Sequence, residues 1–190
     1  KKKKTSPAVV FCPNSDCTDR IIEMDHEIPE TVKCGNCETE FDPKDGNSAR
    51  AKYTCPNGHK HDVKETLERL DAQPEFDYYA HQYLSRGGDK KYKQSREEDR
   101  QTVQQAQEEL EKRFEKLPLP TQKIPSGDKT SRLTARRYRH YYELFSDRHL
   151  LTYGLLFKRA SEFEDENISE FLITGISNSL RFGSHLVMWN

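Results

Sequence analysis

The chain has 190 residues, of which 33% are hydrophobic and 33% are charged, and its formal net charge is −1. This size and composition leave room for one small metal-dependent module and one modest core, and the charge alone identifies no partner. No apolar run approaches the length of a membrane span and no secretory signal is present, so we expect neither membrane insertion nor export.

The cysteine count points to a reducing compartment. The chain has five cysteines, and an odd number argues against a complete disulfide framework. We therefore expect a cytoplasmic protein. At the start of the chain, residues 1–7 are predicted to form a basic tail that opens with the run Lys1–Lys4.

Residues 8–63 form a cysteine-rich segment with metal-ligand spacing. Two residues separate Cys34 from Cys37, and three residues separate Cys55 from His59. Tetrahedral zinc needs four such ligands, and two tight knuckles joined by a β-hairpin supply them without a large core. Turn residues at 42–46 predict that hairpin. We therefore prefer Cys34, Cys37, Cys55 and His59 as the ligands of a structural zinc ribbon.

A further cysteine pair leaves the ligand set open. Cys12 and Cys17 can complete a four-cysteine site with Cys34 and Cys37, and both sets cannot use the same two thiols. In the preferred set, Cys12 and Cys17 have no assigned role. They then form a second site that borrows His26 or His61, a reversible disulfide, or a pair of buried thiols.

Residues 64–117 are predicted to contain a hairpin and an amphipathic helix. A short helix begins near residues 62–67, and strand-favouring aromatic residues with a glycine turn at 86–89 predict a β-hairpin over 74–94. An apolar stripe at spacings of three and four then predicts a helix from about 96 to 117. Residues 118–131 follow as a linker or ordered loop, because proline and glycine interrupt any apolar period.

Residues 132–190 are predicted to be a helical segment that opens with an arginine and tyrosine cluster. Arginines contact phosphate and aromatic rings stack on bases, so this cluster is the best candidate for a nucleic-acid surface. Packing on a core, with the arginines paired to Glu143 and Asp147, explains it equally well. The candidate contacts are Arg132, Arg136, Arg137, Tyr138, Arg139 and Arg148.

Two core helices close the sequence. Ser146 and Asp147 are predicted to begin the first, and residues 167–170 resemble a capping box for the second. The chain ends just after an apolar stretch with the only tryptophan, so we expect it to be part of a larger domain. The predicted fold class is α+β: a small zinc ribbon, then a β-hairpin and three to four α-helices.

The order of these features resembles the middle of the large prokaryotic adenine-specific DNA methylases that contain a zinc ribbon. The resemblance covers nearly the whole chain, and its most specific stretch is Leu144–Leu151. It also includes 91–93, 119–128 and 177–180. Separately, the knuckle from Cys34 to His59 is similar to one in some ribosomal RNA methyltransferases, which favours the assignment of His59.

This resemblance implies a role in substrate recognition. In such methylases a glycine-rich loop binds S-adenosylmethionine and an Asp-Pro-Pro-Tyr-like motif holds the flipped adenine, and neither occurs here. The chain then corresponds to a segment between those motifs. The resemblance therefore implies that it contacts DNA beside the remaining catalytic part of the same protein and has no catalytic residue of its own. The alternative is a free-standing zinc-ribbon adaptor that binds RNA or protein.

Overall fold

The computed structural model describes residues 8–24 and 28–185. Its secondary structure confirms the predicted α+β class, with small antiparallel sheets and five helices among these residues. The predicted basic tail, His26 and the last residues of the chain lie outside the described part. None of the described helices combines the length and the apolar character that crossing a membrane requires.

The described residues form nine strands and five helices. The strands are β1 (Ala8–Phe11), β2 (Ile21–Met24), β3 (Val32–Lys33), β4 (Glu40–Phe41), β5 (Ser48–Ala49), β6 (Lys52–Thr54), β7 (Lys60–Asp62), β8 (Ala80–Leu84) and β9 (Lys90–Gln94). The helices are α1 (Val63–Leu70), α2 (Glu97–Arg113), α3 (Ser131–Thr134), α4 (Asp147–Ser161) and α5 (Glu166–Gly183). Two short 3-10 turns, Phe114–Lys116 and Tyr141–Leu144, complete the list.

The chain divides into two compact units. The first contains residues 1–63 and 75–97, and the second contains residues 64–74 and 98–190. The hairpin β8–β9 therefore belongs to the same unit as the cysteine-rich segment. Each unit has its own buried clusters, so each is described separately below.

The cysteine-rich segment consists of short antiparallel pairings. β1 pairs with β2, β3 pairs with β4, and β6 pairs with both β5 and β7. The hairpin predicted around the turn at 42–46, which would pair Phe41 and Tyr53, is wrong, because β4 and β6 belong to different sheets. The turn chemistry is correct, since the amide of Asp45 donates to the carbonyl of Asp42 at 3.0 Å, but this turn connects two sheets.

The remaining predicted elements are present with shifted ends. The hairpin predicted over 74–94 is β8–β9, and the helix predicted over 96–117 is α2, which gives way to a 3-10 turn. Ser146 caps α4 by accepting a hydrogen bond from the amide of His149. The capping box predicted at 167–170 is wrong: Asp165 is the cap of α5, and its carboxylate accepts bonds from the amides of Asn167 and Ile168.

The second unit is held by two small apolar clusters. The first cluster contains Leu110 of α2, Leu150 of α4 and Leu117, which lies between these helices in the chain. The second contains Ile124, Tyr138 and Leu144. Gly154 of α4 permits the close approach that the first cluster needs. A Cβ added there would lie 2.8 Å from Cδ2 of Leu119 and 3.2 Å from Cβ of Leu117.

We predict that Gly154→Ala destabilises the second unit. Overpacking costs about 1–3 kcal/mol and alanine recovers about 0.5–1 kcal/mol of helix propensity, so the expected net loss is on the order of 1 kcal/mol. Gly175→Ala in α5 is the matched control, because its Cβ would meet nothing within 4 Å. This control should gain about 0.5–1 kcal/mol. Denaturant unfolding followed by helical circular dichroism measures both, and equal stabilisation by the two substitutions would contradict the packing at Gly154.

Candidate metal centre

Two hairpins of the first unit each carry a pair of cysteines in their loops. Cys12 directly follows β1 and Cys17 lies in the loop before β2, while Cys34 directly follows β3 and Cys37 lies in the loop before β4. The second loop is closed by two backbone hydrogen bonds of 2.9 Å. The amide of Cys34 donates to the carbonyl of Thr39, and the amide of Glu38 donates to the carbonyl of Cys34. Such turns aim both sulfurs of a pair to one side.

The four sulfurs converge. The ligand atoms of Cys12, Cys17, Cys34 and Cys37 all lie within 4.8 Å of one another. The Sγ atoms of Cys12 and Cys37 are 3.6 Å apart, and those of Cys17 and Cys34 are 3.7 Å apart. A disulfide requires about 2.05 Å, whereas a regular tetrahedron with metal–sulfur bonds of 2.3 Å has sulfur–sulfur edges of about 3.8 Å. The cluster therefore fits a tetrahedral metal ion and could hold one.

This cluster is also the core of its unit. Cys12, Cys17 and Cys34 are 0%, 5% and 1% exposed, and Ile22, Cys37 and Phe41 pack against them. Among the described residues of this unit, Val10 and Val32 are the other buried hydrophobic side chains. So small an apolar core stabilises a fold weakly by itself. A bound metal would supply the missing stabilisation.

Polar neighbours prepare the sulfurs for coordination. The amide of Asn36 donates to Sγ of Cys17 at 3.3 Å, and the hydroxyl of Thr39 lies 3.2 Å from Sγ of Cys37. The side-chain and backbone hydrogen bonds from Thr39 lower the pKa of Cys37 to about 6, although burial opposes them. This lowered pKa favours the thiolate form of Cys37, which is the form that binds metal.

Cys12 and Cys17 resist ionisation while no metal is bound. Burial raises the pKa of Cys12 to about 12, and the neighbouring thiols add to this effect. For Cys17, the Asn36 hydrogen bond lowers the pKa, but burial and the adjacent sulfurs outweigh it, so the net pKa is raised. Several thiolates packed together repel one another, and a divalent cation removes that repulsion while displacing the protons.

The preferred ligand set is not brought together. Cys34 and Cys37 join Cys12 and Cys17, while Cys55 and His59 belong to a separate cluster with His61. The structure therefore assembles the alternative four-cysteine set. Spacing alone offered this set only as the alternative, because each loop has acceptable knuckle spacing. Which loops meet depends on contacts between residues far apart in the chain, such as the hydrogen bonds from the side chain of Asn36 to Cys17 and Thr18.

The predicted nucleic-acid residues fall into two classes. Tyr138 is only 4% exposed and lies in the apolar cluster with Ile124 and Leu144, so its ring is not available for base stacking. Arg137 and Arg139 both form ion pairs with Asp71, and Arg137 also donates to the carbonyl of Glu68 at 3.1 Å. These three side chains are engaged within the fold.

The remaining predicted arginines face solvent. Arg132, Arg136 and Arg148 are exposed and form no ion pair with any residue in the described part of the chain. Glu143, which the sequence suggested as an arginine partner, instead accepts hydrogen bonds from the backbone amides of Arg139 and His140, at 2.5 and 3.0 Å. Although burial raises the pKa of Glu143, those hydrogen bonds outweigh it and lower the net pKa.

Comparison with protein-family models, curated proteins and solved structures finds no match for this chain.

We predict that Cys12→Ser removes the tightly bound metal and Cys55→Ser does not. Structural zinc contributes on the order of 10–16 kcal/mol in small metal modules, and replacing one thiolate by a hydroxyl removes much of this energy. Loading the reduced chain with one equivalent of Co²⁺ measures the difference, because only a thiolate-rich site gives intense sulfur-to-cobalt absorption. The reverse result, with that absorption retained by Cys12→Ser and lost from Cys55→Ser, would restore Cys34, Cys37, Cys55 and His59 as the ligands.

Proposed function

We propose that this chain is a zinc-ribbon, DNA-contacting segment of an adenine-specific DNA methyltransferase and is not catalytic alone. The observation that carries the proposal is the buried four-cysteine cluster, whose sulfur–sulfur distances of 3.6 and 3.7 Å suit tetrahedral zinc. Zinc would be structural, because four thiolates fill its coordination sphere and leave no position for a substrate or a reactive water.

The assignment to a methyltransferase rests on the sequence resemblance centred on Leu144–Leu151. In this account, S-adenosylmethionine binding and methyl transfer belong to the remaining catalytic part of the same protein. The catalytic part is the proposed protein partner of this chain, and DNA is the proposed substrate of the whole methyltransferase.

DNA contact is proposed for the exposed arginines. Arg132 and Arg136 lie in and just after α3, and Arg148 lies in the first turn of α4. Because no carboxylate of the described residues pairs with them, their charge is available for phosphate without the loss of an internal ion pair. Arg137, Tyr138 and Arg139 are proposed to position this surface, since Asp71 and the apolar cluster hold them.

We predict that Arg132→Ala combined with Arg136→Ala weakens the salt dependence of DNA binding. Each lost phosphate contact changes the slope of log affinity against log salt by about 0.9 for duplex DNA, so the double variant should flatten it by up to about 2 units. Filter binding across a salt series measures the slope. Lys158→Ala combined with Arg159→Ala, in the last turn of α4, is the control with the same charge change.

The outcomes separate the two candidate functions. An equal slope for wild type and both double variants would contradict DNA contact through this surface. If the chain then bound single-stranded RNA or a protein with unchanged zinc content, the adaptor function would replace the methylase segment. Loss of binding in the Lys158 and Arg159 variant alone would move the contact to the last turn of α4.

A further inference from the structure

A third hairpin carries metal-type ligands that the four-cysteine cluster does not use. Cys55 directly follows β6, His59 directly precedes β7, and His61 lies within β7. The ligand atoms of these three residues lie within 4.8 Å of one another. This loop repeats the pattern of the other two, in which a cysteine follows a strand and opens a tight turn.

The backbone of this loop is closed in the manner of a metal knuckle. The amide of Cys55 donates to the carbonyl of His59, and the amide of Gly58 donates to the carbonyl of Cys55, both at 2.9 Å. Gly58 has φ of +80°, a conformation that glycine adopts without strain. The turn thereby places Sγ of Cys55 and Nδ1 of His59 only 3.8 Å apart. A tetrahedral zinc ion with its usual bond lengths would set this edge at about 3.6 Å.

His61 lies in β7, two residues after His59, and its ligand atom joins those of Cys55 and His59 within 4.8 Å. Its ring stacks on that of Tyr53, the residue paired with it across β6 and β7, at a centroid distance of 5.2 Å. The centroids of His59 and His61 are 6.4 Å apart with nearly perpendicular planes, a separation at which two ring nitrogens can meet one metal ion. Stacking on Tyr53 holds His61 in position for this.

We propose that Cys55, His59 and His61 form a second zinc site that has three protein ligands and one exchangeable position. No fourth Cys, His, Asp or Glu among residues 8–24 and 28–185 joins the group. Three protein ligands with a free fourth position distinguish an open zinc site from a closed structural one.

Charge determines what the fourth position takes. Four thiolates around zinc leave a net negative site that repels a further anion, whereas one thiolate and two neutral imidazoles leave one positive charge. The second site is also nearer to solvent, since Cys55 and His61 are half-buried and His59 is exposed. The fourth position of the second site therefore binds water or a small anion. Suitable anions include those that donate a carboxylate or phosphate oxygen.

Titration of the whole, reduced chain with Co²⁺ tests the proposal. We expect two equivalents: the first gives the intense sulfur-to-cobalt absorption of a thiolate-rich site, and the second gives weaker absorption because it has one thiolate. His59→Gln and His61→Gln should each lower the affinity of the second equivalent by more than the roughly 10–100-fold caused by loss of an outer-shell partner. Lys60→Gln, between the two histidines, should retain both equivalents.

The first equivalent serves as the internal folding control. If a histidine variant keeps the intense first signal and loses the second, loss of the fold is not the cause. Binding of only one equivalent by the wild type, or of two by both histidine variants, would overturn the site. Because Cys12→Ser removes the first equivalent and these variants remove the second, failure of this proposal is distinguishable from failure of the structural zinc site.

Azide tests the exchangeable position. Added to the chain with both sites filled by Co²⁺, azide should shift the visible absorption of the second ion and leave the spectrum of the His61→Gln variant, which holds only the first ion, unchanged. An unchanged wild-type spectrum at saturating azide would show that the second site is closed and would contradict its proposed anion affinity.

Discussion

The convergence of four thiols inside two adjoining hairpins is the interaction on which the first unit depends. Its strands are only two to five residues long, and its buried hydrophobic side chains, among those described, are three cysteines and two valines. Such short pairings are marginal in water unless something else holds them. Each sulfur lies 3.6 or 3.7 Å from a sulfur in the opposite loop. A metal ion bound between these sulfurs would hold the two hairpins together.

The second unit is stabilised by the packing of apolar side chains. Leu110, Leu117 and Leu150 pack together, Gly154 permits the close approach of Leu117, and Tyr153 donates its hydroxyl to the carbonyl of Ser179 at 3.0 Å. The paired arginines belong to this scaffold. Arg137 and Arg139 share Asp71, so their contribution is to order the segment that presents Arg132 and Arg136. Exposed ion pairs of this kind contribute little energy but restrict orientation.

Local elements were predictable from the sequence because local rules determine them. Ser146 caps α4, the apolar stripe gives α2, and the glycine turn gives β8–β9. Most of the errors concern partners far apart in the chain. Knuckle spacing describes each loop but does not say which loops meet, and the carboxylate that engages Arg139 is 68 residues away at Asp71. One error is local: the cap of α5 was misplaced because Asp165 and Asn167 are both good capping residues, and residue type alone does not choose between them.

Hydrogen exchange of the zinc-loaded chain, before and after removal of the metal by a chelator, tests most directly whether a metal replaces the core of the first unit. Exchange reports the local cost of opening each element. The account predicts that amides of β1–β4 lose protection on chelation, while those of α4, whose apolar cluster contains no cysteine, keep it. Unchanged protection of β1–β4 in the metal-free chain would contradict the account, because the two hairpins would then be stable on their own.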